Sequence, residues 1–107
     1  MSDNKTIAVI TGAASGIGRA SSLKLAENGA TVVLVDFNKD AGEETLRLIK
    51  ERGGDGIFVQ ADVTRTEDVQ NYVNKAVESY GRIDFFFNNA GIVQKVLDAG
   101  RYGRERV

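Results

Sequence analysis

Thr11-Gly-Ala-Ala-Ser-Gly-Ile-Gly18 sets three glycines in a G-x-x-x-G-x-G pattern between a short apolar run and an amphipathic one. Each glycine answers a separate need: Gly12 a tight turn, Gly16 a backbone able to approach a pyrophosphate, and Gly18 close packing of a helix on a strand. A helix beginning there adds N–H groups without intrahelical partners and the positive end of its dipole, both of which favour an anion. Such glycines alone are as readily an ordinary turn, and their place between strand and helix is what favours phosphate. Asp36 follows eighteen positions after Gly18, at the end of the next apolar run. That is near the spacing at which a carboxylate hydrogen-bonds an adenosine ribose 2′-hydroxyl and repels a 2′-phosphate. By itself Asp36 is equally a cap for the next helix; beside the glycine loop, dinucleotide binding is the better reading. Phe37 and Asn38 offer a 2′-phosphate no cation and Lys39 is the nearest one, so NAD is expected over NADP.

The rest of the composition narrows the chemistry. The 107 residues contain no cysteine and no histidine, which removes disulfides, thiolate zinc sites, a cysteine nucleophile and imidazole acid/base work. No metal site is expected. The net charge of −1 creates no overall field for nucleic acid or an anionic membrane, so a small-molecule partner is expected. Met1-Ser-Asp-Asn-Lys-Thr lacks the apolar core of a signal peptide, and no apolar run approaches the roughly 18 residues of a membrane span. A cytoplasmic location follows as the expectation.

The elements that must position these residues can be read from periodicity. Lys5–Thr11 and Thr31–Asp36 are short apolar runs that read as buried strands, the first on both faces, and Gly56–Gln60 and Ile83–Asn88 read as the third and fourth strands. Between the first two, Ile17, Ser21, Leu25 and Asn28 recur at helical spacing, with Gly29 as the stop. Asn38 to Arg52 reads as a helix capped by Asn38, with a stripe through Ala41, Thr45, Leu48 and Ile49. Thr64-Arg-Thr-Glu67 has the form of a capping box, opening a helix on which Val69, Val73, Ala76, Val77 and Tyr80 share a face until Gly81. The resulting β-α-β-α-β-α-β order implies an α/β, Rossmann-like doubly wound parallel sheet. Right-handed crossovers give strand order 3-2-1-4, with the first two helices on one face and the third on the other.

With these motifs in place, the sequence resembles the short-chain dehydrogenase/reductase family. The resemblance rests on Thr11 to Gly18, the strand-end Asp36, Asp62-Val63 after the third strand, and Gly81-Arg-Ile-Asp84 leading into Asn88-Asn-Ala-Gly91. It implies that the Asp62 side chain and the Val63 backbone meet the adenine. Asn88, Asn89, Ala90 and Gly91 would steady the central strand and line the adenosine ribose, and Ser15 and Ile17 would contact phosphate or ribose. Without the resemblance, Asp62-Val63-Thr64 is the approach to a capped helix and Asn88-Asn89 an ordinary turn.

The resemblance also implies hydride transfer between NAD(H) and an alcohol or carbonyl substrate in a full-length parent, through a serine, a tyrosine and a lysine placed well after the Asn-Asn-Ala-Gly turn. No Tyr-x-x-x-Lys occurs in the chain, and Tyr102 with Arg106 copies only the spacing. Residues 1–92 are therefore expected to form a truncated NAD-binding half-domain, inactive alone. Residues 93–107 are expected to be a divergent, irregular tail. From Lys95 onward it carries four basic and two acidic residues, against ten and thirteen before it. Truncation, alternative splicing or a frame shift would each give such an ending. The alternative is a dinucleotide-binding or subunit-interaction module without catalysis. A flavodoxin-like phosphate-handling domain fits the glycine loop and Asp36 less well. The aromatic fourth strand should leave apolar surface and a free edge open to self-association.

Overall fold

A computed structural model of the chain describes residues 5–89. The elements run β1 (Ile7–Thr11), α1 (Gly16–Glu27), β2 (Thr31–Asp36), α2 (Lys39–Glu51), β3 (Asp55–Gln60), α3 (Thr66–Tyr80) and β4 (Phe85–Asn88). The strands pair in parallel in the order β3-β2-β1-β4, the doubly wound arrangement expected from the element order. Residues 90–107, which include Ala90, Gly91 and the 93–107 segment, lie outside the described residues.

β1 and β2 occupy the middle of the sheet, which is why both are apolar without alternation. Ile7, Val9, Val33 and Val35 face α3 and pack with Val69, Tyr72 and Ala76. Ala8, Ile10, Val32 and Leu34 face the opposite way and pack with Ile49 of α2 and with Leu23, Leu25 and Ala26 of α1. The first two helices thus cover one face and the third the other, as right-handed crossovers require.

Three helix details differ from the sequence reading. On α1 the buried residues are Gly18 and Ser22, one step round from the Ile17–Ser21 stripe, and Ile17 is 68% exposed. Close packing on β1 selects the smallest side chains, and the Ser22 hydroxyl is satisfied in the core by donating to the Gly18 carbonyl at 2.7 Å. On α3, Tyr72 takes the central buried place and Val77 turns outward at 46% exposure. The Tyr72 ring lies 6.1 Å from that of Phe86. The capping box does not form: Arg65 is the N-cap residue and makes no side-chain cap bond. The Thr64 hydroxyl turns back to Asp62 Oδ1 at 2.6 Å, a local bond that competes with capping.

β4 begins at Phe85, two residues later than read. Asp84 stands just before it, its N–H donating to the Ile7 carbonyl at 2.9 Å and its Oδ2 accepting the Ile7 N–H at 2.9 Å. That carboxyl is held below the usual carboxylate range, first by the Ile7 N–H and then by Arg82. Among the described residues, no helix is long and apolar enough to cross a membrane.

Candidate functional site

The strand ends align: Thr11 registers with Val35 on one side and Asn88 on the other, and Asp36 registers with Gln60. The glycine loop, Asp36, Asp62 and the Asn88-Asn89 pair therefore meet at the C-terminal end of the sheet. The chain leaves β1 and β4 there, at the topological switch point where open α/β sheets form their crevice.

The loop from β1 into α1 can be built only from glycine at its critical points. Gly12 and Gly16 have φ of 67° and 57°, in the left-handed region. A Cβ on Gly18 would stand 1.8 Å from the Gly12 carbonyl oxygen. Ser15 occupies the N-cap position with extended backbone, its side chain makes no cap bond, and the first turn holds no acidic residue. The N–H groups of that turn, with the dipole behind them, are left for an anion. Ser15, Gly16 and Ile17 are all exposed there.

Several buried contacts hold the loop in shape. The Ala13 N–H donates to the Val35 carbonyl at 3.1 Å. The buried Thr45 hydroxyl of α2 donates to the Ala13 carbonyl at 3.0 Å and accepts from Arg19 Nε at 2.8 Å. Arg19 Nη2 also donates to the Ala41 carbonyl at 3.0 Å. None of this was legible as site structure in the sequence, where Thr45 passed as one position of an apolar stripe. Its hydroxyl was the signal, because a buried hydroxyl needs a partner.

Asp36 is half-buried and already engaged: Oδ2 accepts the Ala14 N–H at 2.9 Å and Oδ1 the Asn38 N–H at 3.0 Å. Each oxygen retains capacity for another donor. The helix-cap role belongs to Asn38, whose side-chain oxygen accepts the Ala41 N–H at 3.0 Å. Beside Asp36 stands Phe37, 69% exposed, with its carbonyl accepting from Gln60 Nε2 at 3.0 Å. In the sequence Phe37 is distinguished only by its lack of charge; its exposed ring beside Asp36 becomes visible in the fold.

Across the crevice, Asp62 Oδ1 accepts both the N–H and the hydroxyl of Thr64, at 3.0 and 2.6 Å. The hydroxyl bond is the main cause that lowers the Asp62 pKa. Its own N–H donates to Asp68 Oδ2 at 2.8 Å, and Val63 is half-buried against the α3-side core. Thr11 Oγ1 donates to Asn88 Oδ1 at 3.1 Å and accepts the Asn89 N–H at 3.0 Å, while Asn89 Nδ2 lies 3.4 Å from the Gly12 carbonyl. These bonds tie β4 to the glycine loop. Among the described residues Asn88 Nδ2 is buried without a partner.

The comparisons agree with this geometry. The family model for short chain dehydrogenases matches residues 6–104. An uncharacterized oxidoreductase of Thermotoga maritima is 45% identical over 87 residues, which are 81% of this chain and 34% of that protein. Among solved structures, an NAD+-bound xylitol dehydrogenase superposes with a TM-score of 0.77 at 39% identity, over 79% of this chain and 33% of that one. An actinorhodin polyketide ketoreductase, the F189W form with NADPH, gives 0.80 at 30% identity, over 82% and 34%. The chain spans about a third of the length of the relatives it matches. With a parallel 3-2-1-4 sheet, a glycine loop at its switch point and a family match over most of its length, the chain belongs to the short-chain dehydrogenase family.

Proposed function

We propose that this chain is the dinucleotide-binding portion of an NAD-dependent short-chain oxidoreductase, whose parent transfers hydride between NAD(H) and an alcohol or carbonyl substrate. The observation that carries the reading is the glycine loop: left-handed Gly12 and Gly16, a Gly18 with no room for a side chain, and uncapped first-turn amides of α1. Those residues fit a pyrophosphate, with Ser15 and Ile17 beside it. Asp36 would hold the ribose hydroxyls, and Asp62 and Val63 would meet the adenine. Asn88, Asn89, Ala90 and Gly91 would line the ribose side, where the unpartnered Asn88 Nδ2 leaves a donor unused. The dinucleotide supplies the hydride-carrying nicotinamide when bound.

NAD is favoured over NADP because the Asp36 carboxylate would oppose a 2′-phosphate. Lys39, the nearest cation in sequence, has its ammonium 3.5 Å from the Glu43 carboxylate. No independent turnover is expected, because no Tyr-x-x-x-Lys acid/base pair occurs in the sequence.

Calorimetric titration of Asp36→Ala tests the assignment. Loss of a charge-assisted contact to the ribose should weaken NAD by about 1.5–3 kcal/mol, roughly ten- to a hundredfold, and leave NADP unchanged or tighter. Equal weakening of both cofactors would mean that Asp36 acts only by holding the Ala14 N–H. Unchanged NAD affinity would remove it from the site.

A further inference from the structure

The peptide that joins Ala13 to Ala14 in the glycine loop is held at both ends. Its carbonyl accepts the buried Thr45 hydroxyl of α2 at 3.0 Å, and its N–H donates to Asp36 Oδ2 at 2.9 Å. A threonine inside a helix ordinarily turns its hydroxyl back to the carbonyl four residues earlier. For Thr45 that oxygen belongs to Ala41 and lies 3.3 Å away, and a hydroxyl has one proton to give. Arg19 of α1 decides the contest. Its Nη2 donates to the Ala41 carbonyl at 3.0 Å and supplies that oxygen, while its Nε donates to Thr45 Oγ1 at 2.8 Å and occupies a lone pair there. The Thr45 proton is left for Ala13. A guanidinium suits this task because it presents its N–H groups in a fixed planar fork.

We propose that Arg19 and Thr45 are positioning residues for the ribose carboxylate, an inference that rests on the dinucleotide reading of the site. Donor to acceptor, the path runs from the Arg19 guanidinium through the Thr45 hydroxyl and the Ala13–Ala14 peptide to the Asp36 carboxylate. A cation stands at one end and an anion at the other, so each bond polarises the next in the same direction. The second Asp36 oxygen accepts the Asn38 N–H at 3.0 Å, the Asn38 side chain accepts the Ala41 N–H, and the Ala41 carbonyl returns to Arg19. The ring so closed joins the glycine loop, the end of β2 and the starts of α1 and α2.

The loop that would take the pyrophosphate and the carboxylate that would take the ribose are therefore set as one unit. Selection of NAD against NADP depends on that setting, because a carboxylate opposes a 2′-phosphate only where it is held against it. Thr45, on a different helix from the loop, thus acts on cofactor choice without touching the cofactor.

Two substitutions separate the Thr45 hydroxyl from its packing. Thr45→Val keeps the shape and removes the hydroxyl, and Thr45→Ser keeps the hydroxyl and gives up the methyl. In the 107-residue chain without nucleotide, amide exchange followed by NMR should run about fivefold faster at Ala14 in Thr45→Val, relative to Val33 of β2, and near wild type in Thr45→Ser. In calorimetric titration the preference for NAD over NADP should fall about fivefold in Thr45→Val and persist in Thr45→Ser. Arg19→Met, at a half-buried position, should repeat the valine result and stands in for it where the valine chain does not fold. Unchanged Ala14 exchange in the valine and methionine variants would overturn the proposal. So would a serine variant damaged more than the valine one, or a cofactor preference that persists although Ala14 exchange has risen. A wild-type chain that binds neither cofactor would overturn the dinucleotide reading instead, and the exchange at Ala14, which needs no nucleotide, would still decide whether Arg19 and Thr45 set the peptide.

Discussion

β1 and β4 are neighbouring strands of the same sheet, both rich in large apolar residues, and they end in different environments. Every residue of β1 is buried. In β4 one residue is exposed and the other three are half-buried. Hydrophobicity does not separate them; neighbours do, because β1 has a strand on each side and β4 has β1 alone among the described residues. Yet both strands end in the same polar hub, where Thr11 joins Asn88, Asn89 and the glycine loop. The glycine loop and Asp36 therefore stand on the best-covered strands, β1 and β2, while among the described residues the outer side of β4 has no neighbouring strand.

The contrast can be broken most forcefully at Gly18. If the cradle is as tight as described, Gly18→Ala drives a Cβ into the Gly12 carbonyl. It should destabilise the fold by about 1–3 kcal/mol and weaken NAD by more than tenfold. Denaturant unfolding and titration of the variant measure the two effects, and an alanine tolerated in both would mean that the loop is loose.

A smaller change sharpens the other side. The Tyr72 hydroxyl is buried against the β4 side without a partner, and burial pushes its pKa up to about 12. Tyr72→Phe should raise stability by about 1 kcal/mol, since it removes an unsatisfied polar group with little loss of packing. The raised pKa gives the sign with pH. The contribution from the neutral phenol is complete below the unfolded value of about 10 and is lost as pH rises towards 12. Wild type should therefore lose stability over that interval more steeply than Tyr72→Phe. Identical alkaline profiles would show that the phenol is solvated.

Topology and the polar landmarks were readable because each had a local cause. Parallel strands buried on both faces are continuously apolar, and Asn38 caps α2 in the expected place. Positions on helices were less readable where size or a local hydrogen bond overrode hydrophobicity. Ile17 is the most apolar residue of the first turn of α1 and points outward, because only Gly18 fits against the loop. Thr64 has the right spacing for a capping box and bonds Asp62 instead. At the site, Gly12 to Gly18 and Asp36 stood out by type and spacing. Thr11, Arg19 and Thr45 act through tertiary contacts with residues 22 to 78 positions away, which no sequence window displays.

The central claim, a formed nucleotide cradle without turnover, is tested most directly by titrating the 107-residue chain with NAD in the calorimeter and assaying the same sample for alcohol oxidation. Saturable binding should be seen. Turnover should be absent, since the missing acid/base pair alone removes about 10²–10⁴-fold and an unplaced nicotinamide removes more. Failure of NAD to bind, or turnover within tenfold of a typical enzyme's rate of about 10 per second, would contradict the account.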